Sequence, residues 1–266
     1  MSISNARTAL DLSALLVELE SQGWQGPIPT ILDTTESTNS DVARLASAGA
    51  AEGSCIVAEH QSAGRGRLAR AWVSPRSAGL WLSVLVRPAD MPQSRWGWLP
   101  LLAGLATAES VRITAGVPAG VKWPNDVVVF DTEVRKLGGI LSEATSQDAV
   151  VVGIGLNVSM TREELPIAAA SSIFLEGGVV AREALLATIL TRFAGRLAQW
   201  RSGDAQLMVD YRDACMSIGR TVVAVLPDSD VVRGTVVGVD ENGQLLVDDG
   251  TTVVIVTAGD VIHATI

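Results

Sequence analysis

The chain has 266 residues, of which 48% are hydrophobic and 18% charged, with a formal net charge of −9. That length and apolar content bury a sizeable core, in one large domain or a large and a small one, and argue against disorder. The acidic balance, with an isoelectric point near 4.7, argues against general affinity for nucleic acid or an anionic membrane. Met1 to Leu19 carries Arg7, Asp11 and Glu18 where a secretory leader would be apolar, and no later apolar run reaches bilayer length. A cytoplasmic protein is expected, with Cys55 and Cys215 as reduced thiols in the core.

Asp11 or Ser13 caps a first short helix with Leu12, Leu15, Leu16 and Leu19 on one face, ending near Gly23. Thr30 to Leu32 reads as a strand running into Asp33–Asn39. A helix follows, with Val42, Leu45 and Ala46 inward and Gly49 as its stop. Ser54 to Glu59 and Leu80 to Val86 are apolar strands, the second closed by Pro88. Between them lies Gly64-Arg65-Gly66-Arg67-Leu68-Ala69-Arg70, with Gln61 before it and Trp72 after. Its glycines allow positive φ and close backbone approach, and its arginines aim cationic forks into one volume. No acid falls between Gln61 and Pro88, whereas Arg65, Arg67, Arg70, Arg76 and Arg87 all do.

Ser94 to Thr114 has helical spacing (Trp98, Leu101, Leu102, Leu105, Ala106), with Pro100 in the first turn and Trp96 and Trp98 as packing residues. Val121 to Phe130 and Lys136 to Ala144 read as paired strands around Asp131-Thr132-Glu133, and Val150 to Val158 as a third. Arg182 to Gly203 is a helix with Leu185, Leu186, Ile189, Leu190, Phe193, Leu197 and Trp200 on one stripe, and Asp204 to Ala214 a shorter one. From Ser217 the pattern changes to β-rich runs at Thr221–Leu226, Val231–Val239, Leu245–Val247 and Thr252–Val256, with Asn242-Gly243 as a hairpin turn. This reads as a separate small barrel with its boundary near Met216–Gly219. Asp228, Asp230, Asp240, Glu241, Asp248, Asp249 and Asp260 against Arg220 and Arg233 would make it repel RNA.

Four stretches carry possible chemistry, and each has an ordinary explanation alone. Ser37-Thr38-Asn39 is a set of small polar groups at a strand-to-helix junction, or a plain N-cap. Gln61 with Gly64–Arg70 and Trp72 is an anion loop, or a solvated basic one. Lys122-Trp123-Pro124-Asn125-Asp126 puts a lysine, an amide and a carboxylate on a rigid turn suited to ATP phosphates with Mg²⁺, or is only a β-turn. Arg135-Lys136-Leu137-Gly138-Gly139-Ile140-Leu141 would set Lys136 against a carboxylate beside bare backbone, or is a surface lysine at a strand start.

In this order, and with Gly153-Ile154-Gly155-Leu156-Asn157 after them, these stretches resemble the biotin protein ligases over roughly Ile28 to Ile266. The resemblance implies an α+β fold: a mixed sheet with helices of the class II tRNA synthetase and biotin synthetase type, plus a C-terminal SH3-like barrel. The implied domains are a lead-in over 1–29, a catalytic domain over 30–216 and the barrel over 217–266. The implied substrates are biotin and ATP with Mg²⁺, and the reaction runs through biotinyl-5′-AMP to a lysine of a biotin carboxyl carrier domain. Ser37, Thr38, Asn39 and Gln61 match positions that bind biotin, with Arg65, Gly66, Arg67, Lys136, Gly139 and Gly155 also around it. Gly64, Arg67, Arg70, Trp72, Lys122, Asn125, Asp126 and Asn157 match the ATP or adenylate side, Asp126 with a role toward Mg²⁺ through the phosphates. Lys136, Arg65 and Arg67 are the implied catalytic residues.

The short stretch before the first motif points to the ligase-only kind, without a DNA-binding domain, acting as a monomer or weak dimer. A few extra residues between Lys122 and Lys136 leave the register of Val127 to Val134 open. A lipoate ligase or octanoyltransferase, a biotin-responsive repressor, and a peptide-binding barrel adaptor are the competing readings.

Overall fold

Apolar and β-branched runs between turn formers build a seven-stranded sheet in a computed structural model that describes residues 7–226 and 230–263. Asp228, one of the expected barrel acids, and residues 1–6 and 264–266 at the ends of the expected domains lie outside the described residues. The strand order is β1 (Thr30–Leu32), β2 (Cys55–Ala58), β3 (Gly79–Val86), β7 (Val150–Asn157), β6 (Val134–Ala144), β5 (Asp126–Phe130) and β4 (Ala119–Lys122). The first pair is parallel and the others antiparallel, which is the expected mixed sheet. Every residue of β3 is buried, because both faces of the sheet centre are covered.

The two faces carry different cargo. Leu82, Val84, Val152 and Ile154 share a core with α1 (Leu12–Ser21), α3 (Trp98–Ala115), α4 (Arg182–Ser202) and α5 (Gln206–Ala214). On the opposite face α2 (Thr38–Ser47) sets Val42 and Ala46 against Ile56, Leu85 and Val151. By strand alternation Trp81, Ser83, Gly153 and Gly155 belong to that second face, where the two glycines of β7 carry no side chain above the sheet.

All seven apolar residues read on the α4 stripe are buried. In α1, Asp11 is the cap, accepting from Ser13 N at 2.7 Å and Ala14 N at 3.1 Å. Its four leucines do not share one buried face. Leu15 and Leu19 are buried, but Leu12 and Leu16 are 45% and 37% exposed, because α1 packs along a single line against α4.

Val121 to Phe130 is not one strand but two. The chain reverses between Lys122 and Asp126, which pair across a hairpin. Its turn holds a cis Trp123–Pro124 peptide, and Pro124 has no N–H to extend a ladder. The tip at Asp131-Thr132-Glu133 closes as expected, with Phe130 opposite Val134.

The C-terminal unit is a five-stranded antiparallel sheet of the order β11-β10-β9-β8-β12: β8 (Thr221–Val225), β9 (Val231–Val239), β10 (Leu245–Asp248), β11 (Val253–Val256) and β12 (Asp260–His263). The fifth strand, β12, is the one not read from the pattern. Asp240 holds the expected turn by accepting from Asn242 N and Gln244 N, and Gly243 takes the left-handed conformation there, φ 81. Two indoles of the first unit donate into this turn, Trp98 Nε1 to Glu241 O at 3.0 Å and Trp123 Nε1 to Gly243 O at 2.9 Å. The apolar core runs without a break from one sheet into the other. Both cysteines are free and buried, and burial pushes the Cys55 thiol up to about 12. Among the described residues no helix is long and apolar enough to cross a membrane.

Candidate active site

Where the α2 face of the sheet lacks side chains, a cleft of about 440 Å³ opens. Its floor depends on two glycines. A Cβ on Gly153 would stand 2.2 Å from Asn39 Oδ1, and one on Gly155 2.5 Å from the Trp72 indole, so only glycine lets those side chains lie on the sheet. The cleft is lined by Ser37, Thr38, Asn39, Gln61, Arg65, Gly66, Arg67, Arg70, Trp72, Lys122, Asn125, Asp126, Lys136, Gly139, Gly155 and Asn157. Of the site residues expected from the sequence, Gly64 is not in that lining; its carbonyl accepts from Trp72 N at 2.9 Å.

One end of the cleft is neutral and polar. Ser37 occupies the N-cap position of α2 but its side chain caps nothing. Thr38 N donates to Gln61 Oε1 at 2.9 Å, and Thr38 Oγ1 lies 2.7 Å from Ser83 Oγ. Ser83 in turn donates to Asn39 Oδ1 at 2.6 Å. Ser83 is a residue that sequence reasoning missed, although a lone hydroxyl in the apolar run Leu80–Val86 was a visible signal.

The other end is cationic. Arg65, Arg67, Arg70, Lys122 and Lys136 line the cleft with a single acid, Asp126. Low-dielectric walls around such a group of charges favour an anion. The arginine loop is a folded-back hairpin: Arg65 bridges Ala71, and Gly66 N donates to Arg70 O at 2.7 Å. Its left-handed residues are Leu68 and Ala69, each at φ 55, rather than Gly64 or Gly66. Non-glycine residues pay for that conformation with roughly 1–2 kcal/mol apiece. Arg67 reaches across the cleft, donating to Asn125 Oδ1 at 3.2 Å and to Gly259 O of the C-terminal unit at 3.3 Å.

Lys136 faces the cleft because of a β-bulge. Val127 pairs with Gly138 but Val128 with Lys136, leaving Leu137 as an extra residue in β6. Leu137 and Ile140 both point into the helix-side core, so Lys136 falls on the face of Gly139 and Leu141. Its Nζ lies 2.6 Å from Asp126 Oδ1 and 5.6 Å from the centre of the Trp72 ring. Its backbone is held from the other side, donating to Ala169 O and accepting from Ser171 N, both at 2.8 Å.

Asn125 is clamped to β6 through its Nδ2, which donates to Ile140 O at 2.9 Å, and Asn157 Nδ2 donates to Ser171 O at 2.9 Å. Trp72 meets Trp81 edge-on at 6.3 Å, and its Nε1 is buried with no hydrogen-bond partner among the described residues. The mouth is completed by residues outside the sequence motifs: Ile167 and Ala170, and Val261 and Ile262 of β12. Among the described residues no three His, Cys, Asp or Glu side chains cluster as a metal cage. Asp126 offers a divalent ion one carboxylate, already paired with Lys136.

A neutral donor–acceptor end, a bare floor and a cationic mouth suit a substrate with an uncharged polar head and a carboxylate that meets a phosphate. The model of the biotin/lipoate A/B protein ligase family matches residues 31–159, and that of the biotin protein ligase C terminal domain residues 217–264. A biotin–[acetyl-CoA-carboxylase] ligase of Mycobacterium tuberculosis is 40% identical over 97% of both chains. The bifunctional ligase/repressor BirA of Bacillus subtilis is 31% identical over 81% of this chain and 68% of its own length. Among solved structures, the biotin protein ligase from Aquifex aeolicus in complex with biotin and ATP superposes with a TM-score of 0.75, at 28% identity, over 89% of this chain and 98% of that one.

Proposed function

The chain belongs to the biotin/lipoate A/B protein ligase family, and from that premise we propose how its cleft works as that of a biotin protein ligase. The biotin carboxylate attacks the α-phosphorus of ATP, giving biotinyl-5′-AMP and pyrophosphate. The ε-amine of a carrier lysine then attacks the acyl carbon and expels AMP, leaving an amide. The observation that carries this reading is Lys136, turned by the Leu137 bulge onto the glycine floor and held 2.6 Å from Asp126. It belongs to the cationic end, beside Asp126 and the Trp72 ring.

Thr38, Asn39 and Gln61 offer donors and acceptors to the uncharged ureido ring, with Ser37 beside them. Gly139, Gly155 and Trp72 bound the apolar body of biotin. Lys136 neutralises the carboxylate as it meets the phosphate, and Arg65 and Arg67 offset the repulsion between the two anions. Lys122 and Arg70 serve the phosphates, Asn125 by holding Arg67, while Trp72 and Asn157 border the adenylate. Asp126 is the residue that would hold a magnesium ion carried in with the ATP phosphates, and the ion's charge would offset that of the leaving pyrophosphate. Residues 30–216 form the catalytic domain, entered through the lead-in 1–29, and 217–266 the barrel. The acceptor is a biotin carboxyl carrier domain, in keeping with the acetyl-CoA carboxylase in the name of the mycobacterial relative, and the reaction takes place in the cytoplasm.

A lipoate substrate is the reading to separate, because the family model covers ligases of both acids; the match of the C-terminal unit to a biotin protein ligase domain favours biotin. The test is pyrophosphate release with ATP and either acid. Release with biotin and not with lipoate is expected, and the reverse preference would refute the assignment.

A further inference from the structure

Asn39 has a charged partner that lies outside the lining of the cleft. Glu143, on β6, places Oε2 2.6 Å from Asn39 Nδ2. An ionised carboxylate accepts and never donates, so the Asn39 atom facing it is the amide NH₂. That NH₂ also donates to Leu141 O at 3.3 Å, and both its hydrogens are then used. Asn39 Oδ1 is thereby turned down onto Gly153, where Ser83 Oγ donates to it at 2.6 Å.

Ser83, having given its proton, is left to accept from Thr38 Oγ1 at 2.7 Å, so the Thr38 hydroxyl, also 3.1 Å from Gln61 Oε1, directs its proton to the nearer Ser83 oxygen. Thr38 N donates to Gln61 Oε1 at 2.9 Å, leaving the Gln61 NH₂ as a donor. The direction of these bonds on either side of Ser83 follows from one acceptor-only group. What remains for a ligand is an acceptor on Asn39 beside a donor on Gln61, the complement of a group carrying an N–H next to a carbonyl.

We infer that Glu143 is a positioning residue that fixes the polarity of this network and so selects a neutral cyclic urea head. The inference rests on the proposed reaction with biotin. The fold itself asks for no carboxylate at this position: the Glu143 side chain is 39% exposed and stands opposite Val151 in the β6–β7 ladder. Its other neighbour, Arg65 Nη2 at 3.6 Å, forms an exposed ion pair that contributes little.

The test uses the full-length protein with pyrophosphate release as the readout. Glu143→Ala removes the acceptor, and a hydrogen bond to a charged group is commonly worth a factor of ten or more, roughly 1.5 kcal/mol upward. The biotin KM should rise about tenfold or more, with kcat at saturating biotin and the KM for ATP within about twofold. Glu143→Gln, which still offers a carbonyl but no longer forbids the flipped amide, should give a smaller rise. In an Asn39→Ala background Glu143→Ala should add less than about twofold, because its effect runs through Asn39. An unchanged biotin KM, an equal rise in the Asn39→Ala background, or a parallel rise in the ATP KM would overturn the inference. Unaltered thermal unfolding of the variants separates positioning from folding. Wild-type protein that releases no pyrophosphate with biotin would instead sink the reaction on which the inference stands, before any variant is measured.

Discussion

At the residue scale the site depends on where side chains are absent. Gly153 gives Asn39 its place, and a methyl group there would overlap Asn39 Oδ1 at 2.2 Å. Gly153→Ala should therefore push Asn39 off the floor and raise the biotin KM by tenfold or more while the fold survives, since the strand itself accepts alanine. An unchanged KM in steady-state pyrophosphate release would show that Asn39 does not need that position. The stretch Gly153–Asn157 was legible in the sequence as part of a familiar order of motifs. Ser83 and Glu143 were not. They lie in unremarkable strand runs, and only the pairing of β3, β7 and β6 brings them to Asn39.

At the element scale, strong helical periodicity was readable because burial enforces it, as the seven buried residues of the α4 stripe show. The bulge at Leu137 was not readable, because strict alternation from Ile140 would put Lys136 on the core side. The start of α4 carries a second, testable device. Glu59 is 2% exposed, and it accepts from Leu10 N at 2.6 Å, from Ser77 Oγ at 2.8 Å and from Arg182. Burial pushes its carboxyl up, but Arg182, the Leu10 N–H and Ser77 more than offset this and hold it below the usual value. A lowered folded value means that its stabilisation is present above pH 4.5, the ordinary carboxylate value, and is lost as the pH falls through the folded one. Glu59→Gln should destabilise the neutral protein by about 3–5 kcal/mol, because Arg182 is left buried without its partner, and should flatten the decline of Tm below about pH 4.5. Parallel Tm–pH curves for the two proteins would contradict this.

The arginine loop belongs to the same scale. Arg67 joins it to Asn125 and to Gly259 O, so Arg67→Ala should speed the escape of biotinyl-AMP, measured by chasing labelled adenylate with unlabelled biotin and ATP. The outcome against it is an unchanged dissociation rate. The sequence marked the loop as an anion site, but its hairpin geometry and the left-handed Leu68 and Ala69 come from contacts too distant to read locally.

At the scale of the whole molecule, the C-terminal unit completes the catalytic one. Trp98 and Trp123 donate to its turn, and Val261 and Ile262 of β12 line the cleft. The break in composition near Ser217 announced a second unit, but not the shared core, because Trp98 and Trp123 lie far from that turn in sequence. Trp98→Phe keeps an aromatic ring but removes the bond to Glu241 O and part of a buried indole, and should lower stability by about 1 kcal/mol or more; an unchanged urea midpoint would argue that this contact is not part of the joint.

The central claim is that this shared cleft forms biotinyl-AMP, with Lys136 at the meeting point of carboxylate and phosphate. Biotin-dependent exchange of labelled pyrophosphate into ATP reads that step alone, without any carrier. The wild-type chain should exchange label with biotin and not with lipoate. Lys136→Ala should lose roughly 30-fold to 1,000-fold of that rate, the effect of removing about 2–4 kcal/mol of charge stabilisation at the reacting centre. Exchange that does not depend on biotin, or a Lys136→Ala rate within about fivefold of wild type, a difference of about 1 kcal/mol, would contradict it.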